Sequence, residues 1–176
     1  MNDSATVSSV SAGVTESDSL VSLNTLGKLV IADADAGQAL VQTQDVSGTY
    51  GTFHVNADGS WTYTGNGAHN ELTAGQVVSD SITVTSVDGT ASGSITVNVT
   101  GTNDAATVSS ETKAVTEADA SAALSTSGKL VIADVDTGEA LVVARDVSGT
   151  YGTFHVNADG SWTYTGNGAH NELTAG

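Results

Sequence analysis

The chain has 176 residues, a formal charge of −16 and no cysteine, which excludes disulfides and cysteine-based zinc or redox sites. Twenty Asp and Glu residues stand against four Lys and Arg, so the chain repels phosphate backbones and nucleic acid is excluded as a partner. No apolar run reaches the length of a membrane span, which excludes direct insertion into a bilayer as a helix.

Short segments with alternating apolar side chains predict β-strands in the first part of the chain. An edge strand is expected near Ala5–Ser9, and a clearer strand follows in which Leu29 and Ile31 share one face. A weaker strand is expected around Leu40–Gln44. The many Val and Thr residues and the absence of Pro favour strands and turns over helices.

The clearest predicted element is a hairpin in the middle of the first hundred residues. Its first strand, Thr52–Asn56, alternates apolar and polar side chains, and the segment 56–59 predicts a tight turn. Gly59 is suited to the positive φ that such a turn requires. Trp61 and Tyr63 then return on the buried face. The hairpin therefore predicts one wall of a hydrophobic core.

A second hairpin is predicted from two longer alternating segments. Ser79–Ser86 and Ser94–Thr100 carry the apolar positions, and residues 87–90 supply the turn between them. With the earlier elements this gives about seven strands, at the spacing typical of an all-β sandwich.

An internal repeat indicates the domain organisation. Residues 45–75 recur unchanged at 146–176, and a period of about 100 residues fits tandem sandwich domains rather than a solenoid. We predict a complete β-sandwich over 1–104 and a second copy over 105–176, truncated before its last two strands. The second copy is expected to be partly disordered, to add a strand from another molecule, or to exchange strands with the first copy.

Several separated blocks resemble a known family. GTFHVNADGSWTYTG, LTAGQVVSDSITVTSVDGTASGSITVNVTGTND and IADADAG resemble the VCBS repeat of RTX-type bacterial adhesins, over the whole first copy and all that is present of the second. The resemblance implies an immunoglobulin-like or cadherin-like sandwich, repeated in tandem in a large secreted protein of the bacterial cell surface. One departure is Ala105, where such arrays commonly have Pro after the Asn-Asp junction.

The function implied by the resemblance is structural. The repeat would be an extender in the stalk of an adhesin that supports cell adhesion or biofilm formation, with neighbouring repeats of the same chain as its partners and no enzymatic activity.

Acidic residues gather where the ends of the sandwich are expected, which predicts a calcium site at the domain junction. Calcium takes six to eight oxygen ligands in irregular geometry, and carboxylates crowded at one end would repel each other without a cation. The predicted ligands are Glu16, Glu71, Asn103, Asp104, Asp134 and Asp136, with Asp33, Asp35, Asp3 and Glu117 as their equivalents at the other ends. In the competing interpretation, acidic side chains only solubilise a secreted domain.

Catalysis is poorly supported by the sequence. His54, Asp58 and Ser60 straddle one hairpin, so His54 is expected on the solvated face of a strand and no catalytic triad is predicted.

Two alternative functions stay open. A carbohydrate-binding adhesive module would use Phe53, Trp61 and Tyr63 as a platform, although their alternation with polar residues predicts that they are buried. A sandwich with an intramolecular amide cross-link would use Lys28, for which the sequence identifies no partner.

Overall fold

The computed structural model describes residues 2–17, 23–116 and 124–170. These residues form strands, turns and connecting segments, with no helix among them. The chain divides into two compact units, residues 1–104 and 105–176. Each is an all-β structure, as the alternating pattern predicted.

The first unit has nine strands among its described residues. They are β1 (Thr6–Val7), β2 (Val10–Thr15), β3 (Asn24–Lys28), β4 (Ile31–Ala32), β5 (Gln44–Ser47), β6 (Gly51–Val55), β7 (Ser60–Gly65), β8 (Val77–Thr85) and β9 (Ser92–Thr100). One antiparallel sheet has the order β3-β7-β6-β5, a second has the order β2-β9-β8, and β1 pairs with β4. In the second sheet β2 runs parallel to β9, while β8 and β9 are antiparallel.

The two larger sheets of the first unit enclose its hydrophobic core. The predicted inward-facing residues are confirmed, since each of them is less than 9% exposed. They are Phe53, Val55, Trp61 and Tyr63 from one sheet and Ile82, Val84, Ile95 and Val97 from the other. Burying apolar area between two sheets is the main stabilising contribution to such a domain.

The predicted turn between β6 and β7 is also confirmed. Gly59 has φ 80°, and its N–H donates to the carbonyl of Asn56 at 3.0 Å. A side chain at Gly59 would place Cβ only 2.8 Å from Ile31 Cδ1, so both the backbone conformation and the space require glycine.

The predicted strand around Leu29 and Ile31 is interrupted, because the chain changes sheets there. The N–H of Leu29 donates to Gly59 of the central hairpin, whereas the carbonyl of Val30 accepts from Ser8 beside β1. Around Leu40–Gln44, Val41 forms only an isolated bridge to Ser86 and the strand proper begins at Gln44.

The described residues of the second unit repeat only part of this architecture. Their strands are β10 (Thr107–Val108), β11 (Ser125–Lys129), β12 (Ile132–Ala133), β13 (Arg145–Ser148), β14 (Gly152–Val156) and β15 (Ser161–Gly166). The sheet β11-β15-β14-β13 has the register of β3-β7-β6-β5, and β10 pairs with β12 as β1 does with β4. No counterpart of β2, β8 or β9 occurs among the described residues of this unit.

Candidate calcium sites and a buried carboxylate

Two aspartates that follow β4 lie together at one end of the first unit. The N–H of Asp35 donates to Asp33 Oδ1 at 2.8 Å, and the N–H of Asp3 donates to Asp35 Oδ2 at 2.8 Å. Asp33 Oδ2 is buried and has no hydrogen-bond partner. The predicted residues Asp3, Asp33 and Asp35 are therefore neighbours, and one of their carboxylate oxygens is available to a cation.

The second unit repeats the aspartate turn. The N–H of Asp136 donates to Asp134 Oδ1 at 3.0 Å, and Asp136 is only 2% exposed. Gly138 follows with φ 86°, as Gly37 does in the first unit with φ 81°. The local sequence Asp-x-Asp-x-Gly therefore builds the same turn in both units.

Glu16 holds the linker at the other end of the first unit. Its N–H donates to the carbonyl of Thr100 at 2.9 Å, which extends the parallel pairing of β2 with β9 by one residue. Its Oε1 accepts from Thr102 N at 2.6 Å and from Thr102 Oγ1 at 2.5 Å. Glu16 is 2% exposed, and its Oε2 has no hydrogen-bond partner. A buried carboxylate oxygen left in this way is costly unless a cation binds it.

The side chain of Glu71 forms a hydrogen bond within its own loop. Its carboxylate accepts from His69 Nδ1 at 3.1 Å and is more than half exposed. The pKa of Glu71 is lowered, first by its own backbone N–H and then by His69. The same loop contacts the linker, because the N–H of Gly75 donates to the carbonyl of Gly101 at 2.9 Å. Glu71 thus lies near the same end as Thr102, with a local partner for its carboxylate.

The remaining predicted ligands are in the linker or outside the described residues. Asn103 donates through Nδ2 to the carbonyl of Asp104, whose side chain is buried, and Glu117 lies outside the described residues. Within residues 2–17, 23–116 and 124–170, no three His, Cys, Asp or Glu side chains are grouped closely enough to hold a metal ion. The predicted convergence of six ligands therefore stays a prediction.

The two ends of the first unit offer single oxygen donors of the kind that calcium takes. Both ends offer carboxylate oxygens, and each end has one, Asp33 Oδ2 or Glu16 Oε2, that is buried without a hydrogen-bond partner. Carboxylate, amide and backbone carbonyl oxygens are the ligands that calcium takes in proteins.

The sequence analysis missed a further buried carboxylate, that of Asp80 on β8. Its two oxygens accept hydrogen bonds from four donors: Thr49 N at 2.8 Å, Tyr50 N at 2.9 Å, Gly51 N at 3.1 Å and Tyr63 Oη at 2.8 Å. Asp80 is 6% exposed. Burial, and then the hydrogen bond to Asp80, raise the pKa of Tyr63 well above its usual value. Asp80 thus fastens β8 to the loop before β6 across the two sheets.

A signal for Asp80 was present in the alternation of β8. Asp80, Ile82 and Val84 occupy successive inward-facing positions, and all three are buried. A charged residue in register with core residues indicates a buried polar network, because a buried carboxylate must be hydrogen-bonded to be tolerated.

The side chains around the central hairpin do not form a catalytic arrangement. His54 bonds through Nδ1 to Asp45 and through Nε2 to Asn56 Oδ1 at 3.2 Å, so neither ring nitrogen is directed to Ser60. Ser60 Oγ donates to Asp58 instead, at 2.5 Å. His54 is on the exposed face of β6, as predicted.

The structure gives no support to either alternative function in the first unit. Phe53, Trp61 and Tyr63 are at most 3% exposed, so they offer no platform for a sugar. Lys28 forms an exposed ion pair with Asp58 at 2.8 Å, and both side chains are more than half exposed. Lys28, followed by Ser60, lowers the pKa of Asp58, which opposes the neutral acid that amide formation would need.

Comparisons with known proteins agree with this fold. Residues 103–174 match the bacterial Ig domain, and residues 2–101 match the bacterial cadherin-like domain. A comparison with curated proteins gave no significant match. The described residues contain no helix long and apolar enough to cross a membrane. Both matching families are of the sandwich type that the strand order and the repeat indicate, and the chain belongs to the family of bacterial cadherin-like domains.

Proposed function

We propose that the chain is a structural extender from the stalk of a secreted adhesin on a bacterial cell surface, where it supports adhesion or biofilm formation. Bacterial cadherin-like and Ig domains fit a structural role, and such domains are typically non-enzymatic and extracellular. The tandem repeat supports a chain that gains length by adding domains, with its own neighbouring repeats as partners.

We further propose that calcium stiffens the junctions between successive repeats. The ligands would come from Glu16, Glu71, Asn103, Asp104, Asp134 and Asp136, with Asp3, Asp33, Asp35 and Glu117 serving the equivalent ends. Cadherin-like domains are generally calcium-binding. A bound calcium ion would offset the repulsion among these carboxylates.

The observation that carries this proposal is the position of Glu16. One carboxylate oxygen fixes Thr102 of the linker, while the other is buried without a hydrogen-bond partner. A cation bound to the second oxygen would therefore be fastened directly to the segment that leads into the next repeat. Ligand binding at that point would fix the direction of the linker as well as stabilise the first unit.

The test is a calcium titration by calorimetry, with thermal melts and small-angle X-ray scattering in millimolar calcium and in chelator. Calcium is expected to raise the melting temperature and to lengthen the particle. The added stability is about 2.7 kcal/mol at a hundredfold excess over the dissociation constant. Glu16→Gln, and the double substitution Asp134→Asn with Asp136→Asn, should each remove most of both effects.

Asp45→Asn is the matched control, because Asp45 is an exposed carboxylate on β5 that pairs with His54. It should leave the calcium response unchanged. Identical melting and scattering with and without calcium would leave a flexible spacer and contradict the stiffening mechanism.

A further inference from the structure

The end of the first unit that carries Glu16 has a further buried oxygen, the side-chain carbonyl oxygen of Asn70. Asn70 lies in the loop 66–76, which joins β7 to β8, and the sequence did not predict it as a calcium ligand. Neither Asn70 Oδ1 nor Glu16 Oε2 accepts a hydrogen bond from any residue of the described ranges. Buried acceptors without donors are costly, so two of them at one end of a domain indicate a shared ligand.

The loop 66–76 packs directly against the linker that Glu16 holds. A Cβ built on Gly101 would lie 2.5 Å from the carbonyl oxygen of Leu72 and no farther from that of Thr73, so the loop backbone leaves room only for glycine. The next residue, Thr102, donates to Glu16 Oε1 through its N–H and its hydroxyl. The loop and the Glu16 carboxylate therefore contact two consecutive residues of the linker.

The segments that carry Asn70 and Glu16 also rest on one apolar cluster. Leu72, two residues after Asn70, is buried there with Val99, and Val14, two residues before Glu16, packs against the same cluster. Val14 and Val99 are partners in the parallel pairing of β2 with β9. The two side chains thus extend from a common apolar base, and attraction between a cation and oxygen is stronger in such surroundings than in water.

The chemistry of these two oxygens favours calcium over other metal ions. One belongs to a carboxylate and the other to an amide, and calcium binds both kinds together in irregular geometry. Magnesium demands near-ideal octahedral geometry, and zinc favours nitrogen and sulfur ligands. The imidazole of this loop, that of His69, already forms hydrogen bonds through both ring nitrogens, with Glu71 at 3.1 Å and with Asn66 Oδ1 at 2.8 Å.

We propose that Asn70 is a calcium ligand and that its Oδ1 binds the same ion as Glu16 Oε2. The inference rests on the proposed calcium function and adds to it a ligand from the loop 66–76. With both oxygens on one ion, the loop is held to the end of β2, while Glu16 Oε1 continues to hold Thr102 of the linker. Loop, strand and linker are then fixed at a single point.

The test compares the full chain with its Asn70→Leu and Asn70→Asp variants, by calcium calorimetry and by thermal melts in chelator and in millimolar calcium. Asn70→Leu nearly keeps the size of the side chain and removes the buried acceptor. It should weaken calcium binding by at least about tenfold and yet raise the melting temperature in chelator. A purely structural asparagine would not give these opposite effects.

Asn70→Asp should act in the reverse direction. Its carboxylate supplies an oxygen in the same place, so calcium should bind at least as tightly as to the unsubstituted chain. In chelator the variant should melt at a lower temperature, because a second carboxylate lies at the same end as buried Glu16. The matched control is Asn98→Leu on β9, where the Asn98 amide donates to Ser11 Oγ at 3.4 Å, and its calcium response should be unchanged.

The outcomes separate this inference from the proposed function. If Glu16→Gln weakens calcium binding and Asn70→Leu does not, Asn70 is not a ligand, although the calcium function stands. A lower melting temperature of Asn70→Leu in chelator, with unchanged calcium affinity, would assign Asn70 a structural role and also overturn the inference. If the unsubstituted chain binds no calcium, both proposals are wrong.

Discussion

Residues 45–75 and 146–176 have the same sequence, and the hairpins β6–β7 and β14–β15 within them have the same register, yet the side chains on these strands differ in burial. Phe53 is 0% exposed and its counterpart Phe154 is 42% exposed. The local sequence is thus sufficient for three consecutive antiparallel strands of defined register, because turn geometry and alternation are local properties. A core also needs a second sheet, which the first unit obtains from β2, β8 and β9.

The largest expected difference is between Phe53→Ala and Phe154→Ala. Removing the buried ring should destabilise the first unit by about 3–5 kcal/mol, because a cavity is left between two sheets. Removing the half-exposed ring should cost the second unit only about 1 kcal/mol. Urea unfolding in single-tryptophan backgrounds, with Trp61 or Trp162 as the probe, measures each unit separately. Equal losses of stability in the two variants would mean that Phe154 is buried in solution.

Asp80→Asn sharpens the comparison at the level of hydrogen bonds. The substitution removes a buried charge that accepts four hydrogen bonds, and we expect it to cost the first unit about 3 kcal/mol. The amides of Thr49, Tyr50 and Gly51 should lose protection from hydrogen exchange, measured by NMR. In the unsubstituted protein the amides of Thr150, Tyr151 and Gly152 should already exchange fast. Slow exchange of these three amides would show that they are hydrogen-bonded in solution.

The smallest effect concerns a surface pair that the two units share. The pKa of His54 is raised, chiefly by its hydrogen bond to Asp45, and that of His155 is raised in the same way by Asp146. Each histidine has a higher pKa in the folded protein than in the unfolded chain, so its pair with the aspartate stabilises the fold fully below the ordinary histidine pKa of 6.5. This stabilisation is lost as the pH rises through the raised pKa of the folded protein.

An NMR titration should therefore give nearly equal, raised pKa values for His54 and His155. Asp45→Asn should return His54 toward its ordinary value and leave His155 unchanged. A clear difference between the pKa values of His54 and His155 in the unsubstituted protein would show that the two sheets also differ on their solvent-exposed sides.

The parts of the fold that the sequence predicted are those that depend on local pattern. Alternation identified β6 to β9 and their buried residues, and the Gly59 turn followed from the need for positive φ. The pairing of β2 with β9 was missed, because a parallel partner so distant in the chain leaves no local signal. The break at Leu29 was missed for a related reason, since it comes from contacts with both Gly59 and Ser8.

The candidate sites were predicted less completely than the fold. The hydrogen bond between Asp35 N and Asp33 belongs to a short turn that the local sequence Asp-x-Asp-x-Gly builds, whereas the convergence of the predicted ligands stays a prediction. The local pairing of Glu71 with His69 was not predicted, because it depends on the loop conformation. The hydrogen-bonding role of Asp80 was not predicted, because its partners come from a loop far away in the chain.

Glu111 and Lys113 also bear on how the protein behaves at high concentration. They stand where the first unit has Val10 and Ala12, which pack against its core. An ion pair at the margin of an apolar face keeps hydrated charge next to the exposed aromatic rings, and charges in such places discourage aggregation of sheets. Together with a net charge of −16, this pair favours colloidal stability in a chain that carries an incompletely covered sheet.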